Sequence, residues 1–531
     1  MTLQTKLFIL IADLVLAGIF YLIFKVRNTP LKITFTLFVI IFFGVFLAKI
    51  WTFRILPFTY IYILPSILMA LFLHFFVVFT AEKEGFWFEY DSDHGKLIIK
   101  NPFRGFAVFG GAGSGKTKSI TKPTIINCAK KNVTGIIYDY KKFDLTRCAL
   151  TQYKKYNSNV QQHYINFFDL KYSERVNPIA PELLLNPAYA SQASKTLIRN
   201  LVKSSDESKD SFFLPSAEAA LAGIMWRLKE DFPEKCNVAY AASISLNKKI
   251  ENIVSFISKN RQAALIAAPF LQSSGSDKQL AGISASLSGA MRNIAMPELY
   301  YVLSGNDFNL DLNNPAEPKL LCISNYQELD EVYGPVIALI INMALKKMNH
   351  EGKLPSIIML DEGTTIKIPS FDNIPATARE NKIITFFICQ DMVQGEGAYG
   401  RIGRDKILAN LANQMYGLVR NPDTAEYYSR MFGKIFEEQR SRSIKQGDLF
   451  VTSATVSERQ VDKFPPQTFQ QLQSGEFYGV FADANHYEFN ARYKLYEEAE
   501  LPMPIMSYVT PEEIKENFDK ILLDADFLVH M

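Results

Sequence analysis

The chain has 531 residues, 48% of them hydrophobic, which is length for several compact units rather than one lobe. Its 57 basic and 54 acidic residues leave a formal charge of +3, which excludes a protein-wide basic field as the means of holding nucleic acid; any grip on a polyanion must be local, or come from repeating the chain around a channel. Five widely spaced cysteines (Cys128, Cys148, Cys236, Cys322 and Cys389) and six scattered histidines show neither zinc-site spacing nor a disulfide framework, and read as reduced residues in a cytosolic compartment.

Residues 7–24, 33–51 and 58–79 are apolar runs, each near the ~20 residues that cross a bilayer, and they predict a membrane anchor over residues 1–82 with two or three helices. Lys25 and Arg27 follow the first run without a small-residue cleavage pattern, so it is expected to stay attached rather than leave as a signal peptide. With three spans, Lys25, Arg27 and Lys32 fall on an inner loop against Lys49 and Arg54 outside, and the rest of the chain is cytosolic. Two spans with the N-terminus inside is the alternative.

Residues 86–90 and 97–100 alternate around Asp91-Ser92-Asp93-His94-Gly95 and predict a hairpin. Directly afterwards comes Gly110-Gly111-Ala112-Gly113-Ser114-Gly115-Lys116-Thr117, which fits GxxxxGK[ST] between a hydrophobic run at 105–109 and a helix-compatible stretch beginning near Lys116. Glycines let the backbone turn tightly enough for successive N–H groups to face one phosphate, and the following helix presents its positive end. Lys116 is placed to reach the β and γ phosphates of ATP, and the Thr117 hydroxyl to hold Mg2+.

Short runs rich in β-branched and aromatic residues follow at 134–138, 164–168, 319–323, 356–360, 383–389, 415–419 and 478–481, alternating with helix-length segments. The fold class is therefore α/β, with a mostly parallel sheet and helices on both faces. Between 186 and 296 the strand pattern fades; residues 217–229, 248–259 and 278–294 carry helical spacing, with polar breaks at 203–210 and 272–277. This predicts an inserted all-α domain at 186–296, dividing a nucleotide-binding domain into 83–185 and 297–500. Residues 440–459 are polar enough for a surface excursion. Over 501–531, Thr510-Pro511-Glu512-Glu513 is an N-cap, a first-turn proline and an acid three after the cap, so a helical tail is expected to start there and pack against the domain.

The buried-strand pattern at 357–360 ends in Asp361-Glu362. An acid there can orient the metal and its waters, and the next can position or deprotonate the attacking water, so Asp361 is the candidate Mg2+ ligand and Glu362 the candidate general base. Arg379 precedes the 383–389 strand and Gln390 follows it; from residue type alone they read as a surface arginine and a cap.

Taken in order, the apolar N-terminal runs, residues 110–117, Tyr138-Asp139-Tyr140-Lys141, Asn177-Pro178, Leu360-Asp361-Glu362, residues 376–381, Cys389-Gln390-Asp391, Ala398-Tyr399-Gly400, and Thr424-Ala425-Glu426 before Phe432-Gly433 resemble the conjugative coupling proteins of type IV secretion systems, the TraG/TraD group, over almost the full length. The resemblance implies a RecA-like P-loop NTPase core with an inserted all-α domain and N-terminal transmembrane helices, a multi-pass protein of the bacterial inner membrane with its ATPase domain cytoplasmic. It implies that Arg379 is a finger acting in trans, that Gln390 is a phosphate sensor, and that the assembly is a homohexamer. The implied partners are relaxase-bound single-stranded DNA, the secretion channel components and the membrane. Arg401, Arg404 and Lys406 are candidates for a pore-facing cluster. The alternatives are a nucleotide-switched receptor for protein substrates and an FtsK-like translocase for double-stranded DNA; the insertion at 186–296 weighs against the last.

Overall fold

In a computed structural model of the chain, the described residues are Ile19, 86–202, 213–444 and 452–531. Apart from Ile19, the apolar runs within 7–79 lie outside them, as does the polar break at 203–210. Among the described residues, no helix is long and apolar enough to cross a membrane. The chain divides into two units, Met1–Phe86 and Trp87–Met531, and the second carries the sheet.

That unit begins with an antiparallel hairpin of β1 (Phe88–Ser92) and β2 (Gly95–Ile99), in register from Phe88 opposite Ile99 to Ser92 opposite Gly95. Its turn is tighter than the five-residue one read from sequence, because Ser92 and Gly95 already pair and leave only Asp93 and His94 between them.

The main sheet has ten strands. In chain order they are β3 (Phe106–Phe109), β4 (Thr134–Asp139), β5 (Gln161–Ile165), β6 (Asn313–Asn314), β7 (Glu317–Ser324), β8 (Ser356–Leu360), β9 (Ile383–Cys389) and β10 (Asn413–Tyr416), followed after a separate pair, β11 (Lys434–Ile444) and β12 (Thr452–Asp462), by β13 (Glu476–Phe481) and β14 (Glu488–Arg492). The order β10–β3–β9–β8–β4–β7–β5 is parallel throughout, while β13 and β14 extend it antiparallel beyond β10 and β6 pairs antiparallel with β7. Every residue of β3, β4, β8 and β9 is buried, as follows when helices cover both faces of a parallel sheet. That is why these strands read as continuous apolar runs. In β4, Gly135 at φ 120 lets β8 approach: a Cβ there would lie 2.1 Å from the Ile357 carbonyl oxygen.

Helices α1 (Lys122–Lys130) and α2 (Asp144–Lys155) join β3, β4 and β5. Between β5 and β6 the chain is helical: α3 (Pro187–Leu201), α4 (Leu214–Asp231), α5 (Val238–Ser245), α6 (Ile250–Ser258), α7 (Arg261–Ile266), α8 (Ala268–Gln272), α9 (Asp277–Arg292) and α10 (Pro297–Leu303). Side chains of Asn186, Asn237 and Asn260 accept from first-turn amides and start α3, α5 and α7. A 19-residue helix, α11 (Asp330–Met348), follows β7 and is buried along most of its length. Then come α12 (Ile374–Ala378), α13 (Met392–Ala409), α14 (Pro422–Met431), α15 (Pro466–Gln470) and α16 (Pro511–Leu528). Thr510 and Glu513 form a reciprocal capping box at the start of α16. This helix lies on the helical segment, where the Tyr240 hydroxyl donates to Asp524 Oδ2 at 2.8 Å and the Phe518 ring meets Tyr300 at 5.0 Å.

One reading needs revision, and two features of the sheets were not foreseen. The strand read at 164–168 lies earlier: β5 spans Gln161–Ile165, and Asn166 turns away with its N–H on the Ser173 hydroxyl. Of the polar stretch read as a surface excursion, residues 440–444 and 452–459 lie in the antiparallel pair β11–β12, in register from Lys434 opposite Asp462 to Ile444 opposite Thr452. Strand β14 carried no apolar run long enough to be seen.

Candidate active site

The loop Gly110–Thr117 leaves the end of β3. The Gly110 amide donates to the Cys389 carbonyl at 3.3 Å and the Gly111 amide to the Leu418 carbonyl at 2.7 Å, which ties the loop to the chain leaving β9 and β10. Gly115 has φ 89, and a Cβ on it would lie 2.7 Å from the Gly475 amide nitrogen, so side chains are excluded by conformation and by space. The Gly475 amide in turn donates to the Ser114 carbonyl at 2.9 Å. After Lys116 the chain makes a π-helical turn, Thr117–Thr121, before α1 begins at Lys122.

The parallel order sets the rest. Because β9 lies between β3 and β8, Gln390 at its end stands between the loop and Asp361-Glu362 at the end of β8. A cleft of about 280 Å³ results, lined by residues 111–118, Lys141, Glu362, Gln390 and Ser474. Lys116 is buried, and its ammonium donates to the Gly110 carbonyl oxygen. Burial lowers its pKa, opposed by the negative charge of Glu362 and, less, of Asp361. Gln390 Nε2 donates to Glu362 Oε1 at 3.3 Å. Glu362 is 3% exposed and adopts φ 54, a left-handed conformation that a non-glycine residue holds only when its surroundings impose it. Here they do: the Asp361 amide bonds to the Tyr138 carbonyl, the Gly363 amide to the Ile388 carbonyl, and Thr365 donates both its amide and its hydroxyl to the Glu362 carbonyl.

Asp361 lies beneath the cleft, 3% exposed. Burial, reinforced by the neighbouring Glu362 charge, pushes its carboxyl up to about 7, while Lys141 and Lys116 pull the other way. Lys141 was missed as a site residue, although it stands in the quoted Tyr138–Lys141 segment. It enters the cleft because Asp139 fixes the turn after β4: its carboxylate accepts from the amides of Lys141, Leu145 and Thr146 and from the Thr146 hydroxyl. Ser474 had no sequence signal at all; the approach of Gly475 to the loop brings it in.

Thr117 lines the cleft half-buried and Ser114 lies beside it, its buried hydroxyl without a hydrogen-bond partner. Three features fit a phosphorylated ligand carrying a divalent cation: the Ser114 hydroxyl, unpaired among the described residues, the Lys116 and Lys141 cations, and the oxygen donors of Thr117 in the cleft and of the buried Asp361.

Arg379 is not in this cleft. It caps α12, is exposed, and stands before β9, whereas Gln390 stands after it. Seven strand residues at ~3.3 Å put roughly 20 Å between them, well beyond the reach of an arginine side chain. Of the pore candidates, Arg404 is held by Glu396 and Asp405, both at 2.8 Å, and Lys406 faces Asp372 at 3.5 Å; Arg401 is exposed beside Gly400, where φ 70 breaks α13.

The profile of the family described as Type IV secretory system Conjugative DNA transfer matches residues 78–477. No curated protein matches the sequence. Among solved structures, an unbound monoclinic form of the bacterial conjugative coupling protein TrwBdeltaN70 superposes with a TM-score of 0.63 at 14% identity, covering 78% of this chain and 91% of that one. Plasmid coupling protein TrwB in complex with ADP and Mg2+ gives 0.59 at 14% identity over 76% and 87% of the two chains. The same protein with a non-hydrolysable ATP analogue gives 0.59 at 14% identity over 76% and 89%. At such identity the likeness concerns the fold.

Proposed function

The chain belongs to the type IV secretory system conjugative DNA transfer family, and from that premise we propose that it is the inner-membrane coupling ATPase of a conjugative system, a homohexamer that receives relaxase-bound single-stranded DNA and drives its transfer by ATP hydrolysis. The observation that carries the reading is the meeting of residues 111–118, Glu362 and Gln390 in one cleft with Asp361 beneath it. Nucleotide-bound TrwB has the same overall fold.

Thr117 and Asp361 are the residues to hold Mg2+, which when bound neutralises phosphate charge. The amides of residues 111–117 cradle the phosphates. Lys116 exchanges its internal Gly110 contact for the β and γ oxygens, a gain the loop gets only when nucleotide arrives. Glu362, held in place by Gln390 and by its own fixed backbone, accepts a proton from the attacking water. Gln390 touches both the base and the region of the terminal phosphate, so it can report the state of that phosphate through Glu362.

Arg379 cannot serve its own cleft across roughly 20 Å of β9. Its role is in trans: each subunit offers Arg379 to its neighbour's nucleotide, an arrangement worth about 10³–10⁵ in rate. The all-α segment at 186–296 is assigned to substrate reception, residues 83–185 and 297–500 to the motor, 501–531 to a helical tail, and the runs within 1–82 to the anchor. Transferred DNA is gripped through its phosphates without regard to sequence, and contacts with the channel components complete the route.

The test is ATPase of the purified full-length protein with single-stranded DNA, double-stranded DNA or relaxase alone. Stimulation by single-stranded DNA supports the proposal. Stimulation by relaxase alone would make it a protein receptor, and by duplex alone an FtsK-like translocase.

A further inference from the structure

Helix α11 ends at Asn349, whose amide caps the helix on the Leu345 carbonyl at 3.0 Å. Its side chain does something the cap does not require. Asn349 Nδ2 donates to Thr377 Oγ1 at 3.2 Å, and Asn349 Oδ1 accepts from Asn381 Nδ2 at 2.7 Å. Thr377 and Asn381 stand two residues before and two after Arg379. One carboxamide thus grips both sides of the arginine segment.

Elsewhere the segment is held by the buried Pro375 and Ala378 on the side before the arginine, and by its backbone. The Lys382 amide closes a turn onto the Arg379 carbonyl at 3.2 Å, and the Lys382 carbonyl accepts from the first amide of β8 at 3.0 Å. Arg379 itself is exposed. Helix α11, by contrast, is buried on nearly all sides and cannot shift without disturbing the core. Ala378 anchors the side before Arg379, and Asn349 adds the rigidity of a core helix on both sides of the exposed arginine.

We propose that Asn349 is the positioning residue for Arg379, fixing where the guanidinium meets the neighbouring subunit's nucleotide; this rests on the trans role given to Arg379 above. A misplacement of ~1 Å at such a group costs about 10²-fold in rate. Replacement N349A lowers kcat by about 10–100-fold, less than R379A, and leaves the KM for ATP unchanged, because each subunit's own cleft is intact.

The test is subunit mixing with the full-length protein in detergent. K116A has no working cleft but presents a normal Arg379. Mixed with R379A, it restores ATPase above the sum of the two alone; mixed with N349A it does the same, while N349A with R379A does not recover. T377V, at an exposed position, removes one arm of the grip without burdening the fold and gives a smaller loss that K116A also complements. If R379A is rescued and neither N349A nor T377V is, the positioning role is wrong while the trans reading stands. If R379A is not rescued either, the trans reading falls and takes this inference with it.

Discussion

Gln390 donates to the Glu362 carboxylate, so a neutral amide just past β9 and an acid past the adjacent parallel strand β8 share one hydrogen bond of 3.3 Å in the cleft. The acid is held twice, by this bond and by the left-handed backbone fixed through Thr365 and Gly363.

Replacing Glu362 by Gln keeps the shape and the bond to Gln390 but removes the proton acceptor. Hydrolysis is expected to fall by about 10²–10⁴-fold with nucleotide affinity retained. Gln390→Ala frees the carboxylate and is expected to lower kcat by a smaller factor. Phosphate release together with fluorescent-nucleotide titration separates the two effects; unchanged turnover in E362Q removes Glu362 from the chemistry.

Lys116→Ala deletes the only lysine of the Gly110–Thr117 loop. Nucleotide binding and DNA transfer are both expected to be lost, while circular dichroism and membrane association stay as in the wild type. Normal transfer by this variant contradicts the motor reading.

Asp361 governs a pH dependence. Its carboxyl is raised to about 7, chiefly by burial, from an ordinary value of 3.8. The folded chain therefore holds more protons than the unfolded one between these values, and this residue's contribution to stability is complete below about 3.8 and is lost as pH rises through about 7. A divalent cation competes with the same proton, so Mg2+-dependent nucleotide affinity should rise from pH 6 to pH 8. Asp361→Asn is expected to flatten that rise and to increase the melting temperature of the nucleotide-free protein at pH 8. A wild-type Mg2+ affinity that does not vary across this range overturns the assignment.

Gly135→Ala places a methyl group 2.1 Å from the Ile357 carbonyl at a φ of 120. Strands β4 and β8 must separate at the centre of the sheet, and a loss of about 2–4 kcal/mol is expected, read as a lower thermal midpoint. An unchanged midpoint contradicts the close pairing of these strands.

The Gly110–Thr117 loop and the Asp361-Glu362 pair were legible as candidates because each is a run of consecutive residues at the end of a strand. The central strands were legible because a parallel sheet covered on both faces leaves unbroken apolar runs. Sequence spacing is silent on which strands are neighbours, so nothing before the fold placed Gln390 between Lys116 and Glu362, or Ser474 beside a loop more than three hundred residues earlier. Strands β11 and β12 escaped because they pair only with each other, and with no core to face they need no alternating apolar positions. Arg379 and Gln390 were legible at opposite ends of the 383–389 run, and β9 has those bounds; that the cleft forms at the Gln390 end came only with the fold.

That separation gives the subunit two unlike faces. Under the trans role and the ring proposed above, one end of β9 receives and the other gives, and contact between copies is head-to-tail, joining a donor surface to a different acceptor surface rather than a patch to itself. Such contacts close into a circle only if the rotation per copy divides evenly into a full turn, and otherwise run on as a filament. On that proposal a head-to-tail pair completes one reaction centre, and only a closed circle leaves none without its arginine.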